Sequence, residues 1–263
     1  MTPATLDLRQ EGALLWLTLN RPDQLNAMNP ALVEELTAVL EGLPGRRDVR
    51  VVVLRGAGRA FCAGLDLREP FDEGPGVPGG LRVQRKISRL PLLMRAAPQP
   101  FIACVQGPAC GGGFALALAS DVRIAGASAR MNAAFIKIGL GACDIGVSYF
   151  LPRLVGASLA SELLLTGRFL HADRALALGL VSRVVPDEEL EAAARALAEE
   201  MLATSPLGLR LTKECLNASL DAGSLEQVIA MEDRNQILCA QTKDFAEGVR
   251  AFLGKRAARY EDA

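Results

Sequence analysis

Two stretches of the chain share one order of features: VVVLRGAGRAFCAGLDL (residues 51–67) and FIACVQGPACGGGFALAL (residues 101–118). Each opens with an apolar run typical of a buried strand, turns on small residues and continues into a predicted helix. Small residues let a ligand approach the backbone, and the first N–H groups of a helix lack acceptors within it. Two adjacent turns of this kind would direct two N–H groups at one oxygen, as an oxyanion hole does. The alternative is that Gly111, Gly112 and Gly113 only permit close packing of strand and helix.

Further strands and a helix start are predicted around these stretches. Apolar runs predict strands at residues 13–19, 49–56 and 180–185, and the run at 49–56 is rich in β-branched residues. Asn29 before Pro30 predicts a helix start, because asparagine caps free N–H groups and proline suits the first helical position.

The segment between the two stretches lacks a regular pattern. FDEGPGVPGG, residues 71–80, is rich in glycine and proline and predicts a surface loop. It contains a formal G-x-G-x-x-G at Gly74, Gly76 and Gly79. Because prolines interrupt this motif and no strand leads into it, we do not expect a dinucleotide site there.

The later part of the chain has a helical pattern. Periodic segments rich in alanine and leucine predict helices at residues 157–165, 172–179, 187–203, 206–219, 224–240 and 243–254. Strands that alternate with helices in the earlier part indicate the α/β class. We therefore predict a core with the functional site at residues 1–190 and a C-terminal helical region for oligomerisation at residues 191–263.

Composition argues against several classes of function. The 263 residues are 50% hydrophobic and 22% charged, with a net charge of −1. This balance favours a folded globular protein and argues against nucleic-acid binding, which needs clustered lysine and arginine. His171 is the sole histidine and the six cysteines form no C-x-x-C pair, so no metal site or redox cofactor is expected. No apolar run reaches the roughly 18 residues of a membrane span, and no signal peptide is recognisable, so we expect a cytoplasmic protein without membrane contact.

Several separate motifs resemble those of one protein family. They are NRP (20–22) followed by LNA (25–27), GAGRAFCAGLDL (56–67), QGPACGGG (106–113) and TGRFLHADRALALGLVSRVV (166–185). In this order they are similar to the enoyl-CoA hydratase/isomerase (crotonase) family. The resemblance implies the ClpP/crotonase fold, an α/β superhelix of ββα turns with C-terminal helices that mediate trimer formation. It also implies an acyl-CoA thioester as substrate, no cofactor apart from the CoA of that substrate, and a homotrimer or dimer of trimers.

The resemblance places a substrate site at both glycine-rich turns. The thioester oxygen would lie between the backbone N–H groups of Leu65 and Gly112, which would hold the negative charge of an enolate. Gly111 would belong to the same binding site. Ala63 and Gly64 would lie near the adenine.

Four more residues are expected near the substrate. Arg21 and Arg68 match family positions that often carry a basic residue near the CoA phosphates, and arginine is well suited to phosphate oxygens. The alternative for each is a solvated surface arginine. Phe114 and Phe135 are expected to be walls of an acyl pocket or parts of the core.

Two glutamates of the family pattern are missing. Typical hydratases of this family use two glutamates as acid and base on one water, and the matching positions here are Ala115 and Phe135. Neither of these side chains can move a proton. Standard two-glutamate hydration is therefore not expected.

One carboxylate remains at a position that matches a catalytic one. Asp144 corresponds to the aspartate of dienoyl-CoA isomerases and 4-chlorobenzoyl-CoA dehalogenases of the same superfamily; its alternative role is a helix cap before IGVSYFL (145–151). We expect an acyl-CoA enzyme with Asp144 as its acid/base. The family name points to hydration, whereas the missing glutamates favour isomerisation. Thioester hydrolysis, dehalogenation and acyl-CoA binding without catalysis stay open.

Overall fold

A computed structural model describes residues 5–262. Their nine strands are β1 (Leu6–Glu11), β2 (Leu14–Leu19), β3 (Val51–Gly56), β4 (Phe101–Val105), β5 (Pro108–Cys110), β6 (Val122–Gly126), β7 (Arg130–Asn132), β8 (Leu170–His171) and β9 (Arg183–Val185). The larger sheet has the order β1-β2-β3-β4-β6-β9, and the smaller sheet has the order β5-β7-β8. In the larger sheet only β1 and β2 are antiparallel neighbours, and the strands from β2 to β9 are parallel.

Burial explains why the central strands are continuous apolar runs. β2, β3 and β4 are buried along nearly their whole length, because a parallel sheet is covered on both faces. In the register of β3 and β4, Val52 lies opposite Phe101 and Arg55 opposite Cys104. The turns that follow these two strands therefore leave the same edge of the sheet.

Helices connect the strands and continue to the C-terminus. The described residues form α1 (Pro30–Gly42), α2 (Gly76–Ala96), α3 (Gly112–Ala119), α4 (Val147–Val155), α5 (Ala157–Thr166), α6 (Ala172–Ala177), α7 (Leu190–Leu202), α8 (Pro206–Ser219), α9 (Leu225–Ala240) and α10 (Lys243–Leu253). Short 3-10 turns occur at Pro22–Gln24, Leu43–Gly45, Ala134–Ile138 and Asp187–Glu189.

The core has one layer on each face of the larger sheet. On one face, side chains such as Leu17 and Leu54 are buried with the apolar residues of α1, α2 and α3. On the other face, Trp16 and Val53 are buried with Ala194 of α7. The division predicted at residue 190 falls at the start of α7. This helix packs against the larger sheet. The division into a functional core and an oligomerisation region stays a prediction.

Most elements expected from the residues are present. The strands predicted at residues 13–19, 49–56 and 180–185 correspond to β2, β3 and β9, and the six predicted C-terminal helices to α5–α10. The helix start is confirmed, since the side-chain oxygen of Asn29 accepts a hydrogen bond from Leu32 N at 3.0 Å.

The loop predicted at residues 71–80 is wrong for its second half. α2 begins at Gly76, with Pro75 as its N-cap. Pro78 is compatible with this start because the first N–H groups of a helix have no acceptor within it. Among the strands without a sequence prediction, β5, β7 and β8 have only three, three and two residues, too few to show a period.

Candidate active site

A cavity of about 220 Å³ lies where the turns after β3 and β4 meet. Of the residues expected at the site, those that line it are Ala63, Gly64, Leu65, Gly111, Gly112, Phe135 and Asp144. Most of the remaining lining is aliphatic, and Asp144 is the only titratable side chain among the described residues that line the cavity. The structure thus brings seven separately predicted residues to one apolar site.

The first glycine-rich turn is fixed by backbone hydrogen bonds to the segment before α1. Met28 N donates to Gly64 O at 2.7 Å, and Asp66 N donates to Met28 O at 2.9 Å. Because backbone groups alternate in direction along an extended segment, the N–H of Leu65 points away from Met28. Within residues 5–262 this N–H has no acceptor, so it is free to bind a ligand oxygen.

The second turn ends at the N-terminus of α3. Gly111 N donates to Asn132 O at 2.9 Å, and Ala115 N donates to Gly111 O at 3.0 Å. Gly112 is the first residue of the helix, so its N–H lacks an acceptor within the helix. None is found elsewhere in the described part of the chain. The helix N-terminus also carries partial positive charge, which favours a negatively charged ligand atom here.

The two turns lie so close together that Gly64 has no room for a side chain. Its φ is +98°, and a Cβ there would lie 2.9 Å from Cys110 O and 3.5 Å from Gly112 N. A positive φ of this kind favours glycine, which has no Cβ to clash. The small residue therefore sets the short separation between the two turns.

Two glycines of the triplet lie close against neighbouring residues. Gly111 has a φ of +51°, and a Cβ there would lie 3.3 Å from the Phe135 ring. A Cβ on Gly113 would lie 2.1 Å from Cys62 O, so this glycine permits close packing of α3. The packing interpretation therefore holds for Gly113, and a binding role for Gly111 and Gly112 stays a prediction.

Asp144 is half-buried at the same cavity. Its Oδ1 accepts hydrogen bonds from Ile145 N at 2.7 Å and from Nε2 of Gln84. Among residues 5–262 no hydrogen bond reaches its Oδ2. The helix-cap alternative is not observed, because α4 starts at Val147 with Gly146 as N-cap and without a side-chain cap. The free oxygen leaves Asp144 able to accept a proton from a bound molecule.

The two positions of the missing glutamates differ in their surroundings. Phe135 lines the cavity, whereas Ala115 is buried in α3 and lies outside the lining. Phe114 is also buried in the core and does not line the cavity. Both phenylalanines were expected as pocket walls or parts of the core, and the structure places Phe135 in the wall and Phe114 in the core.

Arg21 is not the solvated surface arginine that was one of its two expected states. It is only 8% exposed and forms ion pairs with Asp66 at 2.9 Å and Glu69 at 2.6 Å. Burial alone would raise the pKa of Asp66, but the Arg68 N–H and the Arg21 guanidinium outweigh it and hold this pKa below its usual range. A contact between Arg21 and the CoA phosphates stays a prediction.

The rim of the cavity is exposed and largely apolar. Leu67 is 66% exposed, Ile138 56% and Leu140 55%. Arg68 is exposed beside this rim, and Leu65 is partly exposed. The side chain of Arg68 is therefore accessible to an anionic group of a ligand, and its phosphate contact stays a prediction.

Met28 and Gln84 are two of the lining residues that were not expected from the sequence. Met28 lies against the second turn, since a Cβ on Gly112 would come within 2.1 Å of its Cε. Gln84 lines the cavity from α2, three residues before the buried Ile87. A polar residue on the apolar face of a helix could have indicated Gln84. The helix itself was not predicted, because its start lies in the segment expected as a loop, residues 71–80.

In the described residues no helix is long and apolar enough to cross a membrane. Nor do His, Cys, Asp and Glu side chains of residues 5–262 gather in threes as a metal site would require. The expected lack of a cofactor stays a prediction.

Known proteins match this chain over almost its full length. The family model for enoyl-CoA hydratase/isomerase matches residues 9–263. A probable enoyl-CoA hydratase of Mycobacterium bovis is 42% identical over 252 residues, which cover 94% of this chain and 88% of that protein. A 1,2-epoxyphenylacetyl-CoA isomerase of Escherichia coli is 37% identical over 252 residues, which cover 95% of each protein.

A solved structure agrees with the fold. The crystal structure of a probable enoyl-CoA hydratase/isomerase from Mycobacterium abscessus has a TM-score of 0.91 and 39% identity, and the match covers 98% of this chain and 99% of that one. The crotonase fold predicted from the motifs is therefore confirmed. Since the family model and these relatives cover nearly the whole chain, the chain belongs to the enoyl-CoA hydratase/isomerase family of acyl-CoA enzymes.

Proposed function

We propose that this protein moves a double bond within an acyl-CoA thioester, through an enolate held by two backbone N–H groups. The observation that carries the proposal is that Asp144 is the only titratable side chain among the described residues lining a cavity that also presents Leu65 and Gly112. One carboxylate is enough for a proton to leave one carbon and return to another. Addition of water, as typical relatives perform it, needs a second acid/base group.

Leu65 and Gly112 would bind the thioester carbonyl oxygen. Neither N–H has an acceptor within residues 5–262, and each can therefore donate to that oxygen. Negative charge on the enolate oxygen would be costly in an apolar cavity, and fixed N–H dipoles offset that cost. The positive end of α3 adds to the effect at Gly112.

Asp144 would move the proton. Its Oδ2 takes a proton from the α-carbon, and the electron pair of the C–H bond moves into a dienolate whose charge lies on the thioester oxygen. The same carboxyl then returns the proton to the γ-carbon, and the double bond shifts from the β,γ position to the α,β position. This step conserves atoms and electrons with the carboxyl of Asp144 and the two N–H groups alone.

Binding would use the exposed rim and the cavity wall. Arg68 is placed at the rim and would pair with a CoA phosphate, and Ala63 and Gly64 would lie near the adenine. Arg21 would contact the phosphates only through a guanidinium N–H group that its two carboxylate partners do not bind. Phe135 would contact the acyl group in place of the family glutamate.

Solvent deuterium uptake at the α-carbon tests the proposal. A panel of acyl-CoA thioesters is incubated in deuterated water, and mass spectrometry follows label and products for the wild type and Asp144→Asn. We expect exchange by the wild type and a loss of at least about 100-fold in Asp144→Asn. Asp173→Asn is the matched control, because Asp173 is exposed on α6 and does not line the cavity.

Other outcomes would contradict double-bond migration. Tight binding of acyl-CoA without turnover would indicate a binding protein. Free CoA as product would indicate thioester hydrolysis, release of halide would indicate dehalogenation, and a 3-hydroxyacyl product would indicate hydration. Exchange that survives in Asp144→Asn would show that another group moves the proton.

We also propose self-association as a homotrimer or dimer of trimers through the C-terminal helices. Large apolar side chains of these helices are exposed in the single chain, including Leu225, Ile237, Phe252 and Leu253. Burial of such a surface between copies is favourable by roughly 25 cal/mol per Å² of apolar area. This exposure supports the proposal.

A further inference from the structure

The amide of Gln84 makes a direct contact with the candidate acid/base. Its Nε2 donates a hydrogen bond to Asp144 Oδ1, across 60 positions in the sequence. Ile145 N donates to the same oxygen at 2.7 Å. Both donors thus engage Oδ1, and Oδ2 is left for the substrate.

The position of Gln84 follows from the packing of α2. Ile87, Leu90 and Met94 are buried on this helix at 6%, 1% and 1% exposure. Residues three or four apart share one face of a helix, so the side that buries Ile87 also directs Gln84 to the cavity. Gln84 itself is exposed, and its replacement is therefore expected to leave the fold intact.

We infer that Gln84 is a positioning residue, which fixes Oδ1 of Asp144 and turns its Oδ2 toward the bound acyl group. This inference rests on the proposed function of Asp144. An amide N–H donates but does not ionise near neutral pH, so Gln84 stabilises the charged carboxylate without competing for the proton. A carboxylic acid in its place would compete for that proton.

Among the described residues, Asp144 is the only ionisable group that lines the cavity. Nearby charged or titratable residues are Arg85 and Lys86 on α2, Lys137 in the 3-10 turn, and Cys143 next to Asp144 in the chain, and none of these four lines the cavity. The pH response of the site should therefore depend on Asp144 and on the residue at position 84.

Two variants test the inference through the pH profile of α-proton exchange. Gln84→Met keeps the length of the side chain without the donor, and Gln84→Glu replaces the donor with a second carboxyl. We expect the acidic midpoint of exchange to rise in Gln84→Met, because a hydrogen bond to a charged group is lost. It should rise further in Gln84→Glu, because two adjacent carboxylates resist ionising together.

Substitution of Gln84 should lower the rate of α-proton exchange more than the affinity for acyl-CoA. Below the midpoint, exchange in Gln84→Met should fall about tenfold, whereas the Kd for the acyl-CoA should change less than about twofold, since the amide acts on Asp144. Gln241→Met is the matched control, because Gln241 is exposed at the end of α9 and does not line the cavity. An unchanged midpoint in both position-84 variants would overturn the inference.

A measurement without turnover separates this inference from the proposed function. Carbon-13 NMR of the Asp144 carboxyl, assigned with Asp144→Asn, gives its titration midpoint in the free protein. We expect the midpoint to move upward in Gln84→Met. If the wild type exchanges no α-proton but the midpoint moves, the proposed function fails and the contact of Gln84 with Asp144 stands. If exchange occurs and the midpoint stays, the Gln84 inference alone is overturned.

Discussion

Gly64 lies so close to Gly112 that a Cβ on Gly64 would come within 3.5 Å of the Gly112 amide nitrogen. The N–H groups that we propose for the thioester oxygen, those of Leu65 and Gly112, therefore belong to two turns in contact. Their separation depends on a position where even one methyl group is too large. This makes Gly64 a sensitive test of the proposed oxyanion hole.

Replacement of Gly64 by alanine should reduce both activity and stability. The new Cβ would lie 2.9 Å from Cys110 O at a φ of +98°, so the turns must separate or the backbone must change. We expect a loss of about 100-fold in α-proton exchange, comparable to the loss of one oxyanion donor, and a free energy of unfolding lower by about 1 kcal/mol or more. Exchange assays and urea unfolding measure the two effects.

Gly45→Ala provides the control for this substitution. A Cβ on Gly45 would meet no atom within 4 Å, and its φ is not in the positive range. We expect its activity to equal that of the wild type. Full activity of Gly64→Ala would contradict a role for the close approach of the two turns.

Cysteine reactivity should distinguish an exposed residue beside the site from a buried residue in the core. Cys143 is exposed next to Asp144, whereas Cys62 is buried. Burial raises the pKa of the Cys62 thiol to about 12, so almost none of it is thiolate at pH 8. Iodoacetamide at pH 8 should label Cys143 and leave Cys62 unmodified in the folded protein, as peptide mass spectrometry would show.

A bound acyl-CoA should slow the labelling of Cys143, because the ligand would cover the adjacent Asp144. Cys143→Ser should remove this ligand-sensitive label and keep the exchange activity. Rapid labelling of Cys62 without denaturant would be inconsistent with its burial.

Lys213 should make stability depend on pH in mildly alkaline solution. Its Nζ donates to Met94 O at 2.8 Å and Gln99 O at 2.7 Å and pairs with Asp121 at 3.1 Å, which ties α8 to the core. Burial lowers the pKa of Lys213 from 10.5 to about 8, although Asp121 opposes this shift. Between these two values the unfolded chain binds more protons than the folded chain, so this residue makes the free energy of unfolding rise with pH.

Urea unfolding from pH 7.5 to 10.5 would measure this dependence. We expect Lys213→Met to be less stable throughout and to lack the rising contribution, so that the difference between wild type and variant widens with pH. A constant difference across this range would mean that the lysine titrates alike in both states.

Self-association should depend on the apolar side chains of α10. Phe252 is 84% exposed in the single chain, and a carboxylate there would have to be buried in any interface formed by this helix. Light scattering should give three or six times the 27.9 kDa chain mass for the wild type and a smaller particle for Phe252→Asp. Val77→Asp on α2, also more than four-fifths exposed, should keep the wild-type mass; a monomeric wild type would contradict the proposal.

Much of the fold was predictable because its signals are local. The buried strands β2, β3 and β4 are continuous apolar runs, and the start of α1 is marked by Asn29. The start of α2 was not predictable in this way. Its glycines and prolines favour a loop locally, and burial of the apolar face that contains Ile87 makes it a helix.

The sequence by itself determined the family, the two glycine-rich turns and the one carboxylate that matches a catalytic position. These features are recognisable because each is a motif of neighbouring residues. Only the tertiary structure decided that Arg21 is paired with Asp66, that Phe114 belongs to the core, and that Gln84 contacts Asp144. Such contacts join residues far apart in the chain, and the packing of helices against the sheet, rather than any local pattern, brings them within hydrogen-bonding distance.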